Sequence, residues 1–427
     1  MDRRKLNIWL IGEGEGLPIE KDAHLMRMGM LAGYLSEQGH KVTWWTSTFL
    51  HGEKKYICKG YRQIRVNRNL RLMLLHSGIY YRKNISWQRI AYHWLLAREF
   101  VRHSKGRRKP DVVLCAWPTP QFAREAVKYG GQNNVPVVID ARDMWPDIFV
   151  RAFPAKLSKV AELLLKPLKR SASEIFKRAY GITGMIDAAL LWACDYAGRS
   201  PGGNDRTIYI GNRRVEILEE EYQYYLKKWE ERGVKDTDWI ICFFGTFGSH
   251  TAVDVVIRAV KDLCTEYPDI KLVIGGGGDR EREFREAAGG CQNVCFAGWL
   301  DNKEMTSLMR ISKCGAFSIK NTFDFKDTFN TKAIQYISEG LPVLNSLSGF
   351  AKTLIAEKSM GITYDCDSVQ DCKKKILRLY HNEEARGQMG ENALKCFNEM
   401  FETGVVNRQF EEYLIKICDK YEREHGI

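Results

Sequence analysis

Short apolar runs alternate with helical patterns along this chain, in two separate stretches. The first run, residues 6–11, ends in Gly12-Glu13-Gly14-Glu15-Gly16. From about 22 to 38 apolar residues recur at helical spacing, with Leu25, Met28, Gly29, Ala32 and Leu35 on one face, and Gly39-His40 stops the helix. Residues 41–46 read as a second strand, and apolar strands follow at 111–116 and 135–140. Strands joined to helices by short loops predict βαβ units, and continuous apolar runs predict strands covered on both faces.

After a polar, charged stretch at about 211–236 the same grammar restarts. A strand at 239–244 ends in Gly245-Thr246-Phe247-Gly248, a helix covers 253–266, and a strand at 271–274 ends in Gly275 to Gly278. A strand at 294–297, a helix at about 303–310 and a strand at 315–319 follow. The expected architecture is α/β, with two Rossmann-like doubly wound domains facing a central cleft, because ligands of such sheets bind beyond the carboxyl ends of the strands. The expected boundaries are a first domain at 1–205, a linker region at 206–236, a second domain at 237–404 and a C-terminal helix at 405–427 that crosses back to the first domain.

Charge changes this picture by dividing the halves. Residues 1–205 carry 34 Lys and Arg against 18 Asp and Glu, whereas the rest carry 31 against 35. A basic half suits nucleic acid, anionic lipid or a phosphorylated substrate. No nucleic-acid-binding motif is present, so nucleic acid is not an expected partner. Residues 151–178 place Leu and Phe among Lys and Arg at helical spacing, and the stretch from Arg62 to Arg71 and Arg107-Arg108-Lys109 add charge. Together they favour an anionic membrane surface, although each alone reads as a solvated face. The twelve cysteines are scattered with no CxxC pair, which favours free thiols in a reducing cytoplasm over zinc. No run approaches the roughly 18 apolar residues that span a bilayer. The expected location is cytoplasmic, peripheral on the inner face of the plasma membrane.

Gly12-x-Gly14-x-Gly16 sits where a dinucleotide fingerprint would, but Leu17 and Ile19 stand where the third glycine is needed, which disfavours NAD. The loop reads either as a tight turn or as backbone N–H groups approaching a phosphate or sugar, through Gly14, Glu15 and Gly16. His24 follows it at the start of the helix, as a cleft residue or a solvent-facing one. Asp140, Arg142 and Asp143 come directly after an apolar strand, either as a structural Arg–Asp pair or as an acceptor or sugar site. Gly275–Gly278 runs into a charged helix and reads as structural. In the segment 327–340, Lys332 begins a helix and Gln335 lies one turn on. A helix N-terminus beside an amine suits a diphosphate, with Gln335 placed for a ribose hydroxyl.

That segment resembles the donor motif of the family-4 retaining glycosyltransferases of the GT-B fold, in which a PNK or PSK sequence, Glu-Tyr and a Gly-x-Pro turn follow one another. Other motifs fall in family order: Gly39-His40-Lys41-Val42-Thr43-Trp44-Trp45-Thr46-Ser47, Asp140-Ala141-Arg142-Asp143-Met144-Trp145-Pro146-Asp147, Phe244-Gly245-Thr246-Phe247-Gly248, and Asn293-Val294-Cys295-Phe296-Ala297-Gly298-Trp299. The resemblance covers nearly the whole chain and includes bacterial aminosugar transferases of surface-polysaccharide assembly. It implies donor contacts from Gly245, Thr246, Gly298, Trp299, Thr331, Lys332 and Gln335, and catalytic roles for Asp327, Lys332 and His24. The family's Glu-x7-Glu pair falls on Asp327 and Gln335, and Thr331 replaces the usual Asn or Ser. It further implies transfer of a sugar, N-acetylated by the same resemblance, from a UDP-sugar to a polyprenyl-diphosphate-linked acceptor with retention. No cofactor or metal is expected, since Asp324-Phe325-Lys326-Asp327 lacks DxD spacing. A UDP-sugar 2-epimerase of the same fold, and a non-catalytic sugar-nucleotide-binding partner, are the alternatives.

Overall fold

The computed structural model describes residues 4–19, 25–83, 86–152, 158–322 and 325–426. The chain divides into two compact units, one of Met1–Tyr209 with Val406–Ile427 and one of Ile210–Val405. His24 lies outside the described residues.

The first unit is built on strands β1 (Asn7–Ile11), β2 (Lys41–Ser47), β5 (Arg62–Arg65), β6 (Leu70–Leu75), β7 (Val112–Trp117), β8 (Val137–Ala141), β9 (Gly181–Gly184) and β10 (Asp205–Thr207), with β3 (Phe49–Leu50) and β4 (Lys55–Tyr56) as a separate hairpin. Their order is β10-β9-β8-β7-β1-β2-β6-β5, parallel except for the edge strand β5. Alternate residues feed opposite faces. Trp9, Ile11 and Trp45 pack with Tyr92, Phe100 and Phe122 on one face, while Ile8, Leu10 and Trp44 pack with Leu31 and Leu35 on the other. The helix Thr403–His425 joins the second face through Phe410, Leu414 and Ile417. Its Glu411 is buried against His40 Nε2 at 3.1 Å and accepts the Tyr34 hydroxyl at 3.1 Å. Because His40 Nδ1 accepts the Leu6 N–H at 3.0 Å, its proton sits on Nε2 and points at Glu411.

The first helix runs over Arg27–Glu37, later than its apolar pattern predicts. Glu15 sets the start: its Oε2 accepts the N–H groups of Met28 at 2.8 Å and Gly29 at 3.2 Å, satisfying donors that a helix N-terminus leaves free.

The second unit holds β11 (Trp239–Thr246), β12 (Ile270–Gly277), β13 (Val294–Gly298), β14 (Ser312–Phe317), β15 (Val343–Asn345) and β16 (Gly361–Thr363). They form one parallel sheet in the order β13-β12-β11-β14-β15-β16, whose direction of growth reverses between β11 and β14. Within the stretch 206–236, residues Glu219–Glu231 form a helix of this unit whose Trp229 is buried.

Candidate functional site

In doubly wound sheets the place where strand order reverses opens a crevice at the carboxyl ends. Here β11 and β14 pair as far as Cys242 and Gly315, after a register shift at Ile240/Ile241. Beyond that point the hydroxyl of Tyr336 lies between the strands, accepting the Phe244 N–H at 3.0 Å and donating to the Ala316 carbonyl at 3.4 Å. Tyr336 belongs to the helix Thr331–Ser338, so this bond holds the helix against the reversal point.

The helix is capped by Asn330, whose side chain accepts the Lys332 N–H at 3.0 Å. Lys332 is half-buried, and its amine meets Gln335 Oε1 at 3.2 Å and the Met305 sulfur at 3.7 Å. No carboxylate among the described residues pairs with it, and burial pushes its pKa down. Thr331, the first residue of the helix, is exposed. Asp327 lies against Gly349, where the helix Phe350–Glu357 begins and where an added Cβ would overlap its carboxylate. Its carboxylate therefore lies beside the start of that helix.

The glycines of β12 and of the turn after it serve packing. A Cβ on Gly276 would overlap the Gly245 carbonyl oxygen, and one on Gly278 would meet the Phe247 backbone at 2.9 Å. The Phe247 N–H donates to the Gly277 carbonyl at 2.9 Å, zipping the loop after β11 to the end of β12. Trp299 follows Gly298 (φ +71°) and is 73% exposed beside Gly277, offering an open aromatic face. Gly245, Thr246, Gly298, Trp299, Thr331, Lys332 and Gln335 thus all sit at or beyond the carboxyl ends of this one sheet or on the helix that follows β14.

In the first unit, Asp140 is fully buried and both its oxygens are occupied. Arg27 donates to them from Nε and a terminal nitrogen at 3.0 Å each, Arg142 Nε at 2.9 Å and the Thr183 hydroxyl at 2.7 Å. Burial pushes the Asp140 carboxyl up, but the Arg27 and Arg142 guanidinium groups override it and hold it far below the carboxylate range. Arg142 also pairs with Glu15, and Arg27 donates to the carbonyls of Ile208 at 2.8 Å and Tyr209 at 2.6 Å. Asp140, Arg142 and Glu15 therefore form a satisfied clamp between the first helix and β8. Asp143 stays exposed at its edge, and Gly14 (φ +89°) makes the turn before Glu15.

Glu13 was not singled out by spacing. It lies 3.3 Å from His93 Nε2 and accepts the Tyr92 hydroxyl at 3.2 Å, both from the helix Trp87–Ser104. Burial raises its carboxyl pKa, but His93 and the charges of Arg89 and His51 outweigh that and hold it low. Among the described residues the group of side chains within metal-ligating reach is Asp365, Cys366 and Asp367, in the turn after β16. One Asp365 oxygen there already accepts the Asp367 N–H at 3.1 Å.

Residues 227–395, all within the second unit, match the family model for glycosyl transferases group 1. An uncharacterized glycosyltransferase of Methanocaldococcus jannaschii is 26% identical over 159 residues, which cover 37% of this chain and 43% of that protein, so the chain spans less than half the length of this relative. Among solved structures, sucrose-phosphate synthase from Thermosynechococcus elongatus superposes with a TM-score of 0.68 at 14% identity, covering 98% of this chain and all of that one. The Anabaena HepE protein, solved in complex with UDP, gives a TM-score of 0.65 at 13% identity over 96% of this chain and all of its own. The fold is thus of the GT-B type, two Rossmann-like units with parallel sheets, and the likeness in sequence to group 1 glycosyl transferases rests on the second unit.

Proposed function

We propose that the protein is a retaining glycosyltransferase that takes its sugar from a UDP-sugar held at the helix Thr331–Ser338. One observation carries this reading. Lys332 places an amine in the first turn of a helix at the reversal point of the sheet, partly buried and without a carboxylate partner among the described residues. Burying a cation without an anion is costly, and a diphosphate at the helix N-terminus supplies the missing charge. UDP bound to the Anabaena structure agrees with this donor class. Trp299 supplies a face for the base and Gln335 an acceptor for a ribose hydroxyl.

In the reaction the bond between the sugar C1 and the diphosphate oxygen breaks, and a bond from C1 to the acceptor oxygen forms on the same face. Negative charge grows on the departing diphosphate, where Lys332 and the helix N-terminus stabilise it. The acceptor proton passes to that diphosphate, so neither a separate base nor a metal ion is required. Asp327 is assigned to the donor-sugar side of the site.

The acceptor is a sugar chain on a polyprenyl diphosphate, in surface-polysaccharide synthesis at the inner face of the plasma membrane. Support comes from an apolar face of the first unit. Trp87 (83% exposed), Ile90 and Trp94 line one side of the helix Trp87–Ser104, and Val160, Leu163, Leu164 and Leu168 line the exposed side of the helix Ser158–Arg178. Arg124 joins them, its guanidinium 5.8 Å from the Trp94 ring and bonded to the Ser171 hydroxyl at 2.7 Å. Aromatic and aliphatic side chains flanked by Lys166, Arg170 and Lys177 suit an anionic interface. No helix among the described residues is long and apolar enough to cross a membrane.

The test is a thermal-shift screen followed by turnover. UDP should stabilise the chain, by about 2.7 kcal/mol at a hundredfold excess over Kd, NAD should not, and Lys332→Ala should abolish the response. Stabilisation by NAD alone, or by no nucleotide, overturns the reading. Isomerisation of UDP-N-acetylglucosamine without acceptor would assign the chain to the epimerases instead.

A further inference from the structure

The basic surplus of the first unit has a second focus, at the opposite end of the sheet from the Gly12–Gly16 loop. A cavity of about 420 Å³ opens at the amino ends of β1, β2 and β6, and its lining includes Lys41, Arg65, Arg68, Arg71, Arg107 and Arg108. No Asp or Glu lines it, and none of the six pairs with a carboxylate among the described residues. Asp111, beside the hollow, accepts the N–H of the lining residue Asn7 at 2.6 Å.

The sheet register shows how the fold assembles this hollow. Trp9, Thr43, Arg71 and Arg65 are successive cross-strand partners over β1, β2, β6 and β5 and so share one face. Lys41, two residues before Thr43, shares it too and donates to Asn69 Oδ1 at 2.7 Å. Arg68 comes from the turn between β5 and β6. Arg107 and Arg108 arrive from beyond the helix Trp87–Ser104, and Arg107 is fixed by the Tyr61 hydroxyl at 2.9 Å and Gln63 Oε1 at 3.3 Å. Arg65 and Arg71 stand directly opposite each other, a like-charge pairing that destabilises a sheet unless an anion lies between them.

We infer that this hollow binds a multiply charged phosphate group, at a site separate from the donor helix. Five of the six cations are arginines, whose planar forks match phosphate oxygens in pairs. Six positive charges around one cavity match an oligophosphate better than a single monoanion. The phosphate reaches it either as a soluble oligophosphate or as the headgroup of an anionic lipid. The inference rests on the first unit alone and stands whether or not the donor reading holds.

The experiment uses the full chain at about 50 mM salt, where phosphate contacts are least screened. Inorganic tripolyphosphate is titrated calorimetrically into the native chain, into Arg65→Gln/Arg71→Gln and into Lys332→Ala. Tripolyphosphate should still bind Lys332→Ala, in which the donor helix has lost its amine, and should bind the double variant at least about tenfold more weakly at this hollow. UDP affinity should be unchanged in the double variant, and its melting temperature without ligand no lower than that of the native chain, since a repulsion is removed. In parallel, pelleting with vesicles containing phosphatidic acid, a phosphomonoester lipid that can carry two negative charges, is measured with and without tripolyphosphate. Pelleting that depends on Arg65 and Arg71 and is displaced by tripolyphosphate identifies a lipid headgroup, whereas tripolyphosphate binding without that dependence identifies a soluble ligand. Equal tripolyphosphate binding by the native chain and the double variant, loss of it in Lys332→Ala, or failure of both probes to bind overturns the inference.

Discussion

Tyr336 accepts the backbone N–H of Phe244 at 3.0 Å, at the point where β11 and β14 part. The same ring lies against Gly315, where an added Cβ would overlap it. One buried tyrosine therefore replaces the ladder that the two strands no longer supply and fixes the helix carrying Lys332 and Gln335. Tyr336→Phe should leave the Phe244 N–H and the Ala316 carbonyl buried without a partner, lowering stability by about 1–3 kcal/mol. UDP affinity should fall with it, because the helix loses its tie. Urea unfolding and calorimetry read the two effects. An unchanged urea midpoint would refute the role given to this hydroxyl.

Gly276 provides a second test in the same sheet. Its φ of +134° and its approach to the Gly245 carbonyl both exclude a side chain. Gly276→Ala should lower the melting temperature markedly, through backbone strain of about 1–3 kcal/mol and steric overlap with the loop after β11. Were β12 instead a phosphate loop, the variant would lose nucleotide affinity while keeping its melting temperature.

The periodicity of apolar runs carries most of the architecture, because strands buried on both faces announce themselves as unbroken apolar stretches, as in Trp239-Ile240-Ile241-Cys242-Phe243-Phe244. The edge strand β5, written Arg62-Gln63-Ile64-Arg65, does not, since an exposed edge tolerates charges at nearly every position. Donor-side candidates were legible because Lys332, Gln335 and Tyr336 share one short helix with its own cap. Long-range partners were not. Nothing near Asp140 in the sequence points to Arg27, and nothing near Glu13 points to His93. Both pairings arise only when parallel strands bring distant loops to one sheet end. The same holds for the basic hollow, in which Arg107 meets Gln63 across the sheet edge.

The clamp around Asp140 predicts a pH response as well as a mutational one. Its folded pKa lies far below its unfolded value, so the stabilisation is complete above the ordinary carboxylate range and is lost as pH falls through the depressed value. Asp140→Asn should cost about 3–5 kcal/mol, because two buried guanidinium groups lose their shared anion. In guanidinium unfolding at neutral pH the variant should be strongly destabilised, and below pH 3 the gap should narrow. A variant as stable as the native chain at pH 7 would show that Arg27 and Arg142 find other partners.

The exposed tryptophans predict where a lipid surface is met. Trp87→Ser/Trp94→Ser should reduce binding to vesicles containing phosphatidylglycerol by about tenfold or more, since each loses a large apolar face at the interface. Melting temperature and UDP affinity should not change, because both rings are more than half exposed in the free protein. Vesicle binding equal to the native chain would remove the helix Trp87–Ser104 from any membrane-facing role.

Lys332 yields the most discriminating measurement. Burial lowers its pKa from the ordinary value near 10.4, so between the lowered and ordinary values the unfolded chain binds more protons than the folded one. In that window the free protein gains stability as pH rises. A bound diphosphate stabilises the ammonium form and raises the pKa again. UDP binding should therefore take up a proton and weaken as pH rises through the lowered value, while the free protein does not weaken. Gln335→Glu would set a carboxylate in place of the amide oxygen now 3.2 Å from the amine. That charge should raise the Lys332 pKa and move the loss of UDP affinity to higher pH. At neutral pH it should weaken diphosphate binding by adding a negative charge beside it. Lys332→Arg, which stays protonated, should flatten the pH profile altogether. Calorimetry in buffers of different ionisation enthalpy measures the proton uptake directly. A pH-independent UDP affinity in the native chain would show that the amine of Lys332 does not meet the diphosphate.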